Sequence, residues 1–464
     1  MPTRRWKSRA TRASPTSRQS ARSDSTTRRP VPDLFLAAGA PAVQRCERCG
    51  ATWPELDATA TCRDCGGLLD IVLPAPSVHG AALLSRFGGR CCTHPGSEAS
   101  GVWRFAELVM PGAAAHVTHP EGNTPLLQRR AVQAYAGVAD LRLKHEGHNP
   151  TGSFKDRGMT VAVTHAVRVG ATAVACASTG NTSASLASYA AHAGLPALVL
   201  VPRGQVAMGK LTQSLAYGAT TLLVDGDFDD CLRLVREAST ELGVYLANSV
   251  NPWRVEGQKT IALEALQQLG WDAPDWLALP AGNLGNTAAM GKALREAHAL
   301  GLIARVPRLL AVQAAGAAPF AASFADGFAT RTTVRAETIA TAIRIGAPAS
   351  WDRAVRAIRE TNGVVTAVTD DEILDAKAVI DAAGVGCEPA SAASVAGVRK
   401  MREAGVVGAE ARVVAILTGH VLKDPGILVR YHQEMDPAPP RANRPVEIAA
   451  KLADVERVLK SRAR

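Results

Sequence analysis

The sequence predicts an α/β protein with two parallel-sheet lobes and a ligand cleft between them, preceded by a small cysteine-bearing segment. Three observations carry this expectation. Short, continuously apolar runs such as Trp276–Pro280 and Arg412–Leu417 alternate with helix-length stretches, the pattern of a parallel sheet covered on both faces. Turns of glycine and small polar residues follow several of these runs, at the end of the strands where open α/β sheets bind ligands. Finally, Cys46-x-x-Cys49 and Cys62-x-x-Cys65 stand twelve residues apart. With 464 residues, 47% of them hydrophobic, the chain can fill a large core and exceeds one ordinary domain. No apolar run of about 18 residues is free of charge, so a membrane-spanning helix is not expected.

The chain opens on a basic stretch. Residues 1–30 hold nine Lys and Arg against a single acid, so +8 of the formal +10 lies there and only +2 is left for the other 434 residues. That distribution argues against a nucleic-acid-binding body. A Ser/Thr-rich segment nearly without aromatics cannot bury enough surface to fold, so residues 1–38 are expected to be a disordered leader. A transit peptide, a nucleic-acid arm or an upstream extension from an early start codon are the other readings. The segment has no apolar centre, so a secretory signal is not expected.

Residues 39–75 read as a zinc-ribbon-like unit. Cys46, Cys49, Cys62 and Cys65 can supply four thiolates at tetrahedral spacing, with Thr52–Trp53 and Leu68–Ile71 as short strands. Four sulfur ligands leave no open position, so a zinc held there is structural; vestigial or disulfide-paired thiols are the alternative. Cys91, Cys92, Cys176, Cys231 and Cys387 lack such spacing and read as small buried hydrophobes.

A linker near Pro74–Pro76 leads into the main body, expected as one lobe over residues 76–255, a second over 256–435 and a tail over 436–464. Strands are expected at 171–177, 196–202, 220–224, 244–247, 276–280, 308–313 and 412–417. Helices are expected at 159–169, 184–193, 210–217, 228–242 and 288–300.

The stretch His148–Gly158 places Lys155 in a short polar loop, between a Pro-Thr-Gly turn and a helix. A lysine held there can present its amine to a bound aldehyde, and desolvation or a cationic neighbour lowers its pKa so that the free base exists near neutrality. Thr151 or Ser153 is suited to cap the helix. Taken alone, the loop has a lesser reading as a turn with an exposed lysine. Two further turns lie between a strand and a helix, Ser178–Ser183 and Gly282–Thr287. In the second, small residues let backbone N–H groups approach a phosphate at a helix N-terminus. Asn248–Arg254 is a dense polar loop ending in an arginine whose planar fork suits phosphate or carboxylate.

The block Asn149-Pro-Thr-Gly-Ser-Phe-Lys-Asp-Arg157 resembles the Schiff-base lysine loop of fold-type-II enzymes that use pyridoxal 5′-phosphate (PLP), the tryptophan synthase β-like fold. Its form is similar to that of the threonine synthase family, and further motifs follow in order from about Gly101 to Pro425. The resemblance implies Lys155 as catalytic residue and cofactor anchor. Asn181 then bonds the ring hydroxyl, Gly282, Asn283, Leu284, Gly285 and Asn286 cradle the cofactor phosphate, and Thr418 lies beside the ring nitrogen. It implies Thr179, Thr182, Asn248, Ser249 and Arg254 on the substrate. It gives Glu388 no firm role, and it suggests that residues 122–126 and 338–348 frame the cleft. Lys259 reads as a surface residue.

The reaction so implied is conversion of O-phospho-L-homoserine and water to L-threonine and phosphate, by γ-elimination and addition of water at Cβ, with Lys155 as the proton carrier. A cytoplasmic homodimer with a small-molecule substrate, and with neither nucleic acid nor membrane as partner, fits the family. A cysteate synthase-like or threonine dehydratase-like enzyme is the near alternative. A zinc-ribbon regulator with an inactive body is the distant one.

Overall fold

A computed structural model describes residues 34–91, 96, 99–204 and 211–462. Most of the expected leader and Cys92 lie outside the described residues. The strands are β1 (Val43–Cys46), β2 (Thr52–Pro54), β3 (Leu69–Val72), β4 (Leu126–Leu127), β5 (Asp140–His145), β6 (Val174–Ala177) and β7 (Ala197–Pro202). They continue with β8 (Thr220–Val224), β9 (Tyr245–Leu246), β10 (Trp276–Pro280), β11 (Arg308–Ala314), β12 (Val364–Val368) and β13 (Arg412–Leu417).

Three sheets result. The ribbon is antiparallel in the order β2-β1-β3, and a four-stranded parallel sheet runs β8-β7-β6-β9. A six-stranded sheet runs β12-β11-β10-β13-β5-β4, parallel except for the β4–β5 pair. Strands covered on both faces are apolar throughout: every residue of β6 and β10 is buried. β8 lies at an edge, and Leu222 and Leu223 are exposed there.

The expected boundary at 255/256 does not follow the sheets. β5 pairs in register with β13, Leu141 against Val413 and Leu143 against Ala415, so the six-stranded lobe takes chain from both sides of the four-stranded one. Parallel pairing requires crossovers rather than hairpins, and here a whole lobe is the crossover.

Two helices set the cleft. The lysine helix, Lys155–Arg168, packs on the four-stranded sheet through Met159, Ala162, Val163 and Ala166. It crosses the arginine helix, Pro252–Gln258, almost backbone to backbone. A Cβ on Gly257 would stand 1.7 Å from the Arg157 carbonyl oxygen, and one on Gly158 would stand 2.9 Å from that of Arg254. Only glycine permits this approach.

Beneath the crossing, Arg157 donates to Glu146 at 2.7 Å and to Glu264 at 2.8 Å, while Lys144 and Arg104 also reach Glu264 at 2.5 and 2.7 Å. All five side chains are buried. Burial alone raises Glu146 and Glu264, but the Arg157 charge and hydrogen bonds, aided by Lys144, hold both below the ordinary carboxylate value. Residues 122–126, expected at the cleft, belong instead to this layer, where the Asn123 and Thr124 N–H groups donate to Glu264 at 2.8 and 3.0 Å. Among the described residues no helix is long and apolar enough to cross a membrane.

Candidate active site

The lysine begins a helix rather than sitting in a loop before one: Lys155 is the first residue of Lys155–Arg168. Neither Thr151 nor Ser153 caps that helix. The relation is reversed, because the Asp156 carboxylate accepts from the Thr151 N–H at 2.7 Å and the Thr151 hydroxyl at 2.6 Å, closing the Pro-Thr-Gly turn over the lysine. Burial raises the Asp156 carboxyl to about 6 against these hydrogen bonds. The Lys155 Nζ lies 4.2 Å from the centre of the Phe154 ring. Burial, and then the charge of Arg254, bring its amine down to about 7, with Glu388 pulling the other way. The positive end of the helix dipole acts in the same direction as Arg254.

Every residue expected to touch cofactor or substrate lines one cavity of about 1440 Å³. Gly282 approaches Ile343 so closely that a Cβ would stand 2.9 Å from its Cα, and of the expected segment 338–348 residues 341–347 line the cavity. The cradle helix, Gly285–Ala299, follows Leu284, whose φ of 64° is left-handed, a conformation that costs a non-glycine residue about 1–2 kcal/mol. Asn286 is 8% exposed and Thr287 fully buried, yet among the described residues neither amide atom of Asn286 nor the Thr287 hydroxyl has a hydrogen-bond partner. Buried polar atoms left so cost free energy until a ligand meets them. Donors at a helix N-terminus form a set that fits a phosphate, as the expected cofactor requires. Thr287 was not singled out from the sequence, although it stands in the same motif.

Asn283 has another use. Its amide donates to the Ser249 hydroxyl and accepts from the Ala349 N–H at 2.6 Å, tying the cradle to the arginine loop and to the rim. Asn248 likewise fastens backbone, accepting from the Ala177 N–H and donating to the Ala177 carbonyl, both at 3.0 Å. It anchors the loop, which differs from the direct substrate contact expected. Arg254 is 1% exposed and donates through Nη1 to the Ala247 carbonyl at 3.1 Å, leaving Nε and Nη2 without partners among the described residues. Burial lowers this guanidinium to about 10, an indication of how poorly its charge is compensated.

Glu388, left without a role by the sequence, stands where two expected cofactor residues meet. It accepts from Asn181 Nδ2 at 2.9 Å and from the Thr418 hydroxyl at 3.0 Å, and Thr418 also lies 3.0 Å from the Ser391 hydroxyl. Burial raises the Glu388 carboxyl above its ordinary value, against those hydrogen bonds and the charges of Lys423 and Lys155. No local pattern marked it, because its partners lie 207 residues upstream and 30 downstream. Thr179 and Thr182 flank Asn181 at the cavity wall, half-buried. Lys259, read as a surface residue, is fully buried between Glu256 at 2.5 Å and Glu296 at 2.7 Å.

In the ribbon, the four sulfurs of Cys46, Cys49, Cys62 and Cys65 all lie within 4.8 Å of one another. Cys46 to Cys65 is 3.5 Å and Cys49 to Cys62 is 3.6 Å. Sulfurs placed about 2.3 Å from a tetrahedral zinc are about 3.8 Å apart, so the set fits that ion. Burial raises the Cys46 thiol, but the N–H groups of Cys49 and Arg48 and the neighbouring thiols outweigh it and bring it to about 6. Cys176, Cys231 and Cys387 are buried as expected, whereas Cys91 is half-buried and accepts from Arg104 at 3.0 Å.

The family model of pyridoxal-phosphate dependent enzymes matches residues 117–419, a span that includes Lys155, Asn181, the cradle and Thr418. With a low-pKa lysine facing an anion cradle in a cleft between two α/β lobes, the chain belongs to these enzymes. Threonine synthase of Methanosarcina acetivorans is 45% identical over 84% of this chain and 94% of that one. Threonine synthase of Methanocaldococcus jannaschii is 42% identical over 90% and 99%. Within the class, then, the chain is a member of the threonine synthase family. The crystal structure of threonine synthase from Escherichia coli shares the fold, with a TM-score of 0.64 at 19% identity, covering 91% of this chain and 100% of that one.

Proposed function

We propose that the protein converts O-phospho-L-homoserine and water to L-threonine and phosphate. The observation that carries this reading is one cavity holding a low-pKa lysine and two sets of unpartnered donors from different elements, Asn286 with Thr287 and Arg254. One set suits the phosphate of the cofactor and the other that of a phosphorylated substrate.

PLP, when bound, supplies the electron sink for removing a proton next to the substrate nitrogen. The chain's own residues do the rest. Lys155 would hold the cofactor, and its amine would take the substrate Cα proton and carry protons at Cβ, since an amine near 7 can both accept and return them at neutral pH. Asn181 orients the ring hydroxyl and is itself oriented by Glu388. Thr418 would stand beside the ring nitrogen, its hydroxyl held in place by Glu388 and Ser391. Thr179 and Thr182 hold the substrate carboxylate, and Arg254 with Ser249 holds its phosphate, with Asn248 and Asn283 fixing the loop that carries them. Gly282, Leu284 and Gly285 shape the cradle backbone. Cys46, Cys49, Cys62 and Cys65 hold a structural zinc. The protein is assigned to the cytoplasm as a homodimer, by likeness to its family.

The test is to incubate purified protein with PLP and O-phospho-L-homoserine and measure phosphate and amino-acid products together. Equal phosphate and threonine are expected, and Lys155→Ala is expected to abolish both along with the absorbance of bound cofactor. Phosphate accompanied by 2-oxobutyrate would make the protein an elimination enzyme. Turnover retained in Lys155→Ala would overturn the site assignment.

A further inference from the structure

The ribbon is attached to both lobes of the cleft. On the four-stranded side, the Glu55 carbonyl accepts from His165 Nε2 at 2.8 Å and the Glu55 carboxylate accepts from Arg168, both on the last turns of the lysine helix. Ala60 packs there with Ala175 and Ala177 of β6. On the six-stranded side, Lys292 of the cradle helix donates to Asp70 at 2.8 Å and to the Ile71 carbonyl at 2.6 Å, both on β3. The same ammonium reaches Glu256 at 2.6 Å, two residues beyond Arg254 on the arginine helix. Arg353, on the helix Trp351–Glu360, donates to the Leu69 carbonyl and to Glu47, which lies between the paired cysteines Cys46 and Cys49.

The ribbon therefore contacts the helix that begins with Lys155, the helix whose start cradles phosphate and, through Lys292, the helix that carries Arg254. The interior at its cysteine end is very small: Cys46, Cys62 and Leu69 are buried there with Trp53 and Cys65 packed against them, while Ala42, Ile71 and Leu73 join the core of the body. A unit with so little core depends on its metal for shape. The charges it brings are matched. Lys292 is held above its ordinary value by Asp70 and Glu256 against the burial that lowers it, and Asp70 is held below its own by Lys292 and Arg353.

We infer that the four-cysteine centre is an inter-lobe brace: metal in the ribbon fixes the lysine helix against the cradle helix and so sets the affinity for PLP. Glu55, Asp70, Lys292 and Arg168 are positioning residues in this device, remote from the reacting atoms. The inference rests on the zinc assignment above for the identity of the ion, while the contacts themselves are independent of it.

The experiment uses the full chain. Zinc content is measured by mass spectrometry, the metal is stripped with a chelator, and PLP dissociation is followed by absorbance of the bound cofactor, with hydrogen exchange read in parallel. Stripping is expected to weaken PLP binding about tenfold, a usual scale for coupling between separated sites. Circular dichroism of the body should be retained, exchange should be faster at the end of the lysine helix and along the cradle helix, and added zinc should restore all three properties. Lys292→Gln and Arg168→Gln are expected to keep zinc yet weaken PLP binding in the same direction. A chain that takes up no zinc overturns the metal dependence. Stripped protein and both variants with unchanged PLP affinity overturn the brace, whatever the substrate proves to be.

Discussion

Arg157 and Arg254 lie on the two helices of one crossing and are both buried, yet their surroundings are opposite. Arg157 has two carboxylates and a ring of further acceptors, and its charge is held on more firmly than in water. Arg254 has a single carbonyl and two nitrogens without partners. Burying a charge is tolerable when its partners are buried with it, and it is a debt on stability when they are not. A buried arginine whose donors point unpartnered into a cavity is thus prepared for something that the folded chain does not supply.

The largest expected effect tests the first half of the contrast. Arg157→Met leaves Glu146 and Glu264 short of a partner, and a loss of about 3–5 kcal/mol is expected in urea unfolding of the apo-protein. Arg254→Met should do the reverse. Stability should stay within about 1 kcal/mol of the parent or rise, because an uncompensated charge is removed, while kcat/KM for the phosphorylated substrate falls by about 10²–10³. Equal destabilisation by the two substitutions would erase the distinction. The mildest test is by pH. Burial and Arg254 bring the Lys155 amine to about 7, so the rate of PLP capture by the apo-protein should rise about tenfold per unit below that value and level off above it. The sign for stability follows from the same depression: between about 7 and the ordinary 10.5 the unfolded chain binds the extra proton, so the contribution of this group to stability grows with pH across that window. A stopped-flow absorbance series at fixed ionic strength measures the first, and a rate still rising about tenfold per unit from pH 7 to 9 would contradict the low amine value.

Much of the scaffold was legible in the sequence. β8, β10 and β13 lie where apolar runs flanked by turn residues placed them. Helix starts were less legible: the helices beginning at Lys155, Asn181 and Gly285 each open on residues that read as loop. Helix N-termini leave first-turn N–H groups without an intrahelical i−4 acceptor, so the polar and glycine residues suited to them look like turn residues in sequence. The motif residues for the cofactor came together in one cavity, since Asn181, the 282–286 turn and Thr418 each follow directly after a strand of a parallel sheet. The ion network did not show at all. Lys144 finds Glu264 across 120 residues and Lys259 finds Glu296 across 37, and nothing local distinguishes such a lysine from one on a solvated surface. Asn248 and Asn283 show a similar limit: the sequence places a polar side chain at the site but does not say whether its hydrogen bonds go to backbone or to ligand.

Gly257 and Gly158 give the crossing of the two central helices a further meaning. Where helices meet through side chains, a change of one methylene shifts their spacing and neighbours adjust. Here the contact is main chain on main chain, so the spacing is set by atoms that every residue shares. The offset between amine and guanidinium works as a gauge block. A substitution at the rim, in the tail or on an edge strand leaves that spacing untouched, because none of them enters the contact.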